Sequence, residues 1–288
     1  MTEPRIASFT TSDGYVHHYR HWVPDLERPR ALIVALHGIQ SHSGWYWHSS
    51  EKLCEAGYEL LFVDRRGSGM NEDQRGHARH EERLINDVVQ VLNDVRQRRN
   101  ATVPTVPVVL LGLSWGGKLA SVVASRRPEL LDALVLLYPG IFAQFRANEW
   151  DHFRLNLARF GDVLLKPVPI PLQDPRLFTN QDQWRDFIAQ DHLSLREVTV
   201  SFLLANRELD TIAQSAARSI RCPVFMALAG RDRIIDNEST RQYFGQLATH
   251  AKKLIEYPEA CHTLEFEPDR DRFIGDLIGW LNELPQVT

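Results

Sequence analysis

No apolar run in this chain is long enough to cross a bilayer, which takes about 20 residues; the longest, ALIVAL at 31–36 and VPVVLLGL at 106–113, stop well short. No transmembrane segment is expected. The N-terminus, MTEPRIASFTTSDG, has no basic start followed by an apolar core, so no secretory signal is read there and the expectation is a cytoplasmic protein. Cysteine is scarce. Cys54, Cys222 and Cys261 are odd in number and have no paired spacing, which argues for reduced thiols rather than a disulfide framework or a zinc site. An excess of one charge is missing as well: 33 Lys and Arg face 37 Asp and Glu, a formal net charge of −4, and nothing in that balance calls for a nucleic-acid partner. There is no internal repeat and no low-complexity tract. At 43% hydrophobic and 24% charged residues, the composition is that of a folded, enzyme-sized protein rather than a disordered one.

What is present is alternation. Short apolar runs alternate with longer helical patterns, the signature of a mostly parallel sheet covered by helices, hence the α/β class. RALIVALHG and YELLFVDRRGSG read as strands ending at glycine-rich loops, with the helix WHSSEKLCEAG between them stopping at Gly57. ERLINDVVQVLNDVRQRR places Leu84, Val88, Val91, Leu92 and Val95 on one helical face. VPVVLLGLS, LDALVLLYPG, CPVFMALAGRD and KKLIEYPEACH supply further strands, and DRFIGDLIGWLNEL a closing helix. Residues 1–23 are expected to form an antiparallel hairpin turning at Asp13-Gly14. From 141 to 219 the rhythm breaks: no strand-like run appears, prolines crowd KPVPIP, and aromatics are frequent. The expected organisation is a core of residues 1–140 and 220–288 with a helical cap inserted at 141–219, most of whose aromatics form its own small core.

Gly112-Leu113-Ser114-Trp115-Gly116 sits where an apolar strand becomes a helix. A sharp strand-to-helix turn thrusts its serine outward in a strained conformation and needs small neighbours, so Ser114 is the candidate nucleophile; the plain alternative is a serine that caps the helix. A hydroxyl attacks only when a base removes its proton, and the base must itself be oriented by a carboxylate. His262 follows the last strand, at the strand-end edge where Ser114 lies. Asp232 follows the strand before it. Taken singly, each also reads as an ordinary loop residue. An oxyanion needs two N–H donors: the Trp115 amide opens the helix, and the Ile39 amide follows the flexible His37-Gly38.

With these pieces in order, the chain resembles the α/β-hydrolase superfamily, in particular its monoacylglycerol lipase and lysophospholipase branch. HGIQSHSGWY is similar to that branch's HGxxEHSxRY, DRRGSGMNE to DxxGxGxSxG, GLSWGG to GHSMGG, GRDRIID to its acid loop and CHTLEFE to HxxxxE, across residues 37–267. Departures from the pattern include Trp115 for methionine, Leu113 for histidine, Ser41 for glutamate and Asn71 for serine. The resemblance implies an α/β-hydrolase fold with residues 141–219 capping the site. It also implies a serine hydrolase of carboxylic esters, of monoacylglycerol or lysophospholipid type, using an acyl-enzyme on Ser114 and no cofactor. Amidase, peptidase or acyltransferase use of the same residues is the alternative, as is a ligand-binding homologue without turnover. Trp115 is expected to narrow the acyl pocket, and Trp150 and Trp184 to line it. The expected partner is a small, lipid-like ester, with transient membrane-surface contact through the cap.

Other signals are weaker. DRRGSG lacks the third glycine of a dinucleotide fingerprint and reads as a structural turn. The histidines of HHYRH and HARHEE have no completing ligand spacing, so no metal is expected. RQRR suits a helix C-terminus, and Cys261, adjacent to His262 in an extended segment, points away from it.

Overall fold

A computed structural model describes residues 3–144 and 162–287. The N-terminal strands β1 (Arg5–Thr10) and β2 (Val16–Trp22) pair antiparallel, and the turn between them holds Gly14 at φ +82°. They extend a sheet whose remaining strands are parallel: β3 (Leu32–Leu36), β4 (Glu59–Val63), β5 (Val108–Leu113), β6 (Ala133–Leu137), and, after a long insertion, Val224–Ala229 and Lys252–Tyr257. Within the insertion, β7 (Pro167–Pro169) and β8 (Glu197–Thr199) pair antiparallel as a separate two-stranded sheet. The last two core strands are therefore β9 and β10, and the main sheet runs β1-β2-β4-β3-β5-β6-β9-β10. Its central strands, LIVAL, VVLLGL, ALVLL and VFMALA, are buried at every position, as uninterrupted apolar runs covered on both faces must be.

The described α-helices are α1 (Trp47–Glu55), α2 (Glu81–Thr102), α3 (Trp115–Arg126), α4 (Asp182–Gln190), α5 (Val200–Ala216), α6 (Asn237–Gly245) and α7 (Arg270–Asn282). On α2 the expected face of Leu84, Val88, Val91, Leu92 and Val95 is buried, together with Asp87, whose carboxylate accepts two bonds from Arg66, at 2.8 Å from Nε and 2.7 Å from Nη2.

Two expectations about the insertion need correction. KPVPIP is not strandless: Pro167 and Pro169 occupy β7, which has a single partner, and the missing proline N–H groups are tolerated on the side that pairs with nothing. Among the described residues, the aromatics do not form a core private to the insertion. Phe178, Trp184 and Phe187 gather with Trp45 and Phe266 of the core, ring centres 4.7–6.1 Å apart, so the two parts share one aromatic seam.

Candidate active site

β5 ends at Leu113 and α3 begins at Trp115, so one residue makes the whole turn. Ser114 adopts φ 49° and ψ −120°, a region that costs a non-glycine residue about 1–3 kcal/mol. Its surroundings enforce that geometry. The Ser114 N–H donates to the Leu137 carbonyl at 3.0 Å, and its own carbonyl accepts from Gly140 at 2.6 Å. The turn is also too tight for side chains: a Cβ on Gly112 would fall 2.5 Å from the Gly116 oxygen, and one on Gly116 would fall 2.3 Å from the Leu36 oxygen.

The hydroxyl thus presented meets a ring. His262, in the loop after β10, places Nε2 2.9 Å from Ser114 Oγ and Nδ1 2.8 Å from Asp232 Oδ2. Asp232, after β9, is held by the backbone amides of Ile234 and Ile235, which donate to its other oxygen at 2.8 and 3.0 Å. A carboxylate can only accept, so Nδ1 carries the proton and the Nε2 lone pair faces the serine. The ring itself is fixed edge-on by Tyr138 and Phe178, at 4.8 and 5.9 Å between centres.

On the other side of Ser114 lies the loop after β3. Gly38 approaches so closely that an added Cβ would stand 3.4 Å from that of Ser114. Its N–H donates to Ser41 Oγ at 3.0 Å, and the Ser41 hydroxyl in turn bonds the Tyr46 phenol at 2.9 Å. His37 Nε2 accepts from the Arg65 N–H at 2.9 Å, which leaves the proton on Nδ1 to donate to the Gly38 carbonyl at 2.7 Å. Burial pushes this imidazole down to about 3, so it stays neutral. The Gly38 carbonyl and the Ile39 N–H are opposite ends of one peptide plane; tethering the carbonyl to His37 turns the amide the other way. No described residue accepts from the Ile39 or Trp115 amides.

Of the three aromatic side chains expected at the substrate wall, the two among the described residues are committed to other contacts. Trp115 is 4% exposed; its Nε1 donates to Asn206 Oδ1 at 2.7 Å and its ring stacks 5.7 Å from Phe202, so it is committed to α5. A buried indole N–H needs an acceptor, and α5 provides one. Trp184 lies flat on Phe266 at 4.7 Å, with Arg270 over its ring, as part of the shared aromatic seam. Trp150 lies outside the described residues.

The weaker signals resolve separately. His17, His18, His21 and His77 face Asp87, Asn71, Glu59 and Thr199 respectively, and no three His, Cys, Asp or Glu among the described residues form a metal-holding group. Asp236 caps α6 by accepting from the Ser239 N–H at 3.1 Å. Burial pushes the Cys261 thiol up, away from thiolate chemistry.

Sequence reasoning missed several residues around the site. Glu265 is 2% exposed; it accepts from the Ser49 N–H at 3.1 Å with one oxygen, while the other has no partner among the described residues, and burial pushes it up to about 7. Asp191 ties the insertion to the core, accepting from His42 Nε2 at 3.0 Å, Trp45 Nε1 at 2.7 Å and Ser194 Oγ at 2.7 Å, and these donors hold it far below the usual carboxylate range. Arg65 and Asn206 also escaped notice, since no spacing in the sequence distinguishes a buried polar residue from a solvated one.

Comparison with known proteins gives concordant findings. A family model described as serine aminopeptidase, S33, matches residues 27–269. The chain is 24% identical over 267 residues to a monoacylglycerol lipase of Mycolicibacterium smegmatis, with 91% of each chain covered. It is 28% identical over 258 residues to phospholipase YtpA of Bacillus subtilis, covering 87% of this chain and 94% of the relative. A solved monoglyceride lipase of Saccharomyces cerevisiae superposes with a TM-score of 0.87 at 17% identity, over 100% of this chain and 97% of that one. The fold is that of the α/β-hydrolases.

Proposed function

Because the chain belongs to the serine aminopeptidase S33 family, we propose that it is a serine hydrolase of carboxylic esters acting on monoacyl substrates, with Ser114, His262 and Asp232 as its catalytic residues. The observation that carries this reading is the continuous chain of contacts from Asp232 through His262 to Ser114 Oγ, 2.8 and 2.9 Å long, on a serine held at φ 49°. The names of the relatives, a monoacylglycerol lipase and a phospholipase, support the substrate class.

The steps follow from these contacts. Ser114 Oγ attacks the ester carbonyl as its proton passes to His262 Nε2, and the carbonyl π electrons move onto oxygen. The Ile39 and Trp115 amides receive that oxyanion at the positive end of α3. Collapse expels the alcohol oxygen, which takes the proton from Nε2, and leaves an acyl group on Ser114. Water then attacks the acyl carbon, gives its proton to Nε2, and the second collapse returns that proton to Oγ and frees the carboxylic acid. No cofactor or metal is called for. Residues 141–219 act as the cap: α5 packs on α3, Phe178 meets His262, and Val163 and Leu165, 43% and 69% exposed, offer apolar contact to a lipid surface. The enzyme is read as cytoplasmic, meeting lipid transiently.

A panel of C2, C4, C8, C12 and C16 p-nitrophenyl and glyceryl esters, with lysophospholipid and aminoacyl p-nitroanilide arms, tests this. Medium-chain monoacyl esters are expected to exceed acetyl esters and triacylglycerols in kcat/KM, since each buried methylene adds roughly 0.8 kcal/mol. Ser114→Ala should lose on the order of 10⁴-fold or more in turnover, together with labelling by a fluorophosphonate. Activity within about tenfold of the unsubstituted protein in folded Ser114→Ala would remove the mechanism; kcat/KM falling steadily from C2 upward would remove the lipid-like substrate, and faster anilide cleavage would favour peptidase chemistry.

A further inference from the structure

Arg65 is the second residue of the loop after β4, on the opposite side of the β3 loop from Ser114. Its Nη2 donates to the Ile39 carbonyl at 2.8 Å, and its backbone N–H donates to His37. Its guanidinium carbon stands 4.8 Å from the centre of the Trp115 ring and 5.0 Å from that of Phe202. The side chain is 8% exposed, and Nε and Nη1 have no hydrogen-bond partner among the described residues. Burial lowers this group to about 10, with Asp64 and Tyr15 opposing and Arg75 reinforcing that shift, so it keeps its charge at neutral pH.

Such an arginine is a poor choice for packing alone. A buried cation with two idle donors is costly, and an aliphatic side chain of similar length would fill the same space without that penalty. What the guanidinium does reach is specific: the carbonyl of Ile39 and the ring of Trp115, the two residues whose amides are read as oxyanion donors. The geometry points to Arg65 as the positioning residue of the oxyanion hole, bracketing Ile39 and Trp115 and linked through Phe202 to the segment over the site. The inference rests on the reading of these two amides as oxyanion donors. His37 fixes the peptide plane before Ile39 and Arg65 the one after it, so the Ile39 backbone is clamped at both ends. Trp115 is clamped by Arg65 on its ring face and Asn206 on its indole N–H. Arg65 itself touches no reacting atom; it acts through the two residues it holds.

Arg65→Met keeps length and removes both the hydrogen bond and the charge. Loss of a fixed oxyanion donor is worth about 10²–10³ in kcat, and loosening one should cost about 10- to 100-fold in kcat on a C8 ester, with KM within about twofold. An alkylboronic acid that adds Ser114 Oγ to form a tetrahedral anion should lose affinity by a similar factor. Arg65→Lys, which keeps a cationic donor, should recover part of both losses, and Phe202→Leu should lower kcat severalfold at unchanged KM, with thermal melting recorded for each. A kcat within about twofold of the unsubstituted protein in folded Arg65→Met overturns the inference, and so does a loss expressed in KM with boronate affinity intact. If Arg65→Met does not fold, Phe202→Leu decides: kcat and boronate affinity both unchanged overturn it. Ser114→Ala runs beside these variants. An unsubstituted protein without esterase activity, or an active Ser114→Ala, would defeat the functional reading instead of the positioning role.

Discussion

Glu265→Gln should flatten the pH dependence of stability on the alkaline side, and the size of the effect can be worked out in advance. The Glu265 carboxyl is 2% exposed, has one oxygen on the Ser49 amide and one without a partner among the described residues, and titrates near 7 instead of its ordinary 4.5 because burial disfavours its charge. Its folded-state pKa is raised, so the folded protein holds the proton more tightly than the unfolded chain does. Stability from this group is fully present below about pH 4.5 and is lost as pH rises through about 7. With about 1.36 kcal/mol per pKa unit, the folded state has lost about 0.8 kcal/mol at pH 5 and about 3.4 kcal/mol at pH 8.5. Glutamine keeps the acceptor for Ser49 and cannot ionise. The remaining titratable groups are common to both proteins and cancel in the comparison. Urea unfolding at pH 5 and pH 8.5 should therefore show the unsubstituted protein losing about 2.5 kcal/mol more than Glu265→Gln between the two. Profiles that run parallel within about 0.5 kcal/mol would mean that the carboxyl is solvated or already ionised in the folded state, and the reasoning fails.

Asp232→Asn should reduce turnover by about 10⁴-fold because the His262 tautomer is no longer fixed, whereas Asp236→Asn should retain turnover and cost about 1 kcal/mol or less as a helix cap; steady-state kinetics on both variants, with the opposite ranking, would show the acid to be misplaced. Asp191→Ala strips the buried Trp45 Nε1 of its acceptor and should destabilise the protein by about 3 kcal/mol at pH 7. Because the folded-state pKa of Asp191 is depressed, that contribution is present above the ordinary carboxylate range and disappears as pH falls below it, so denaturant melts of variant and parent should converge in acid. Gly116→Ala drives a Cβ to within 2.3 Å of the Leu36 carbonyl, and an elbow that cannot close should yield either no folded protein or a protein without fluorophosphonate labelling.

The core was legible because its central strands are uninterrupted apolar runs and its helices are amphipathic. The Ser114, Asp232 and His262 loops were legible because each follows a strand of the parallel sheet, so the topology alone carries them to one edge. The insertion was less so. β7 is built from Pro167 and Pro169, residues whose local preference speaks against a strand, and only the facing Glu197–Thr199 segment makes it one. Trp115 and Trp184 were read as substrate contacts because sequence gives an aromatic ring but not its direction; Asn206 and Phe266, distant in the chain, decide where those rings lie. Arg65 and Glu265 show the same gap for charge. Both residue types are ordinarily solvated, and nothing near them in the sequence announces burial.

The serine and the histidine that contact each other are 148 residues apart in the chain, and the strands that carry them, β5 and β10, are separated in the sheet by β6 and β9. Such long-range closure is slow compared with local structure formation. The hydroxyl, its base and the base's orienting acid cannot meet before the last strand has docked. During synthesis the chain can bury most of its apolar surface, and can hold Ser114 in its turn, while chemically silent. Esterase activity would then appear only when β10 and the loop after it have joined the sheet, which makes the onset of activity a clock for the closure of that sheet.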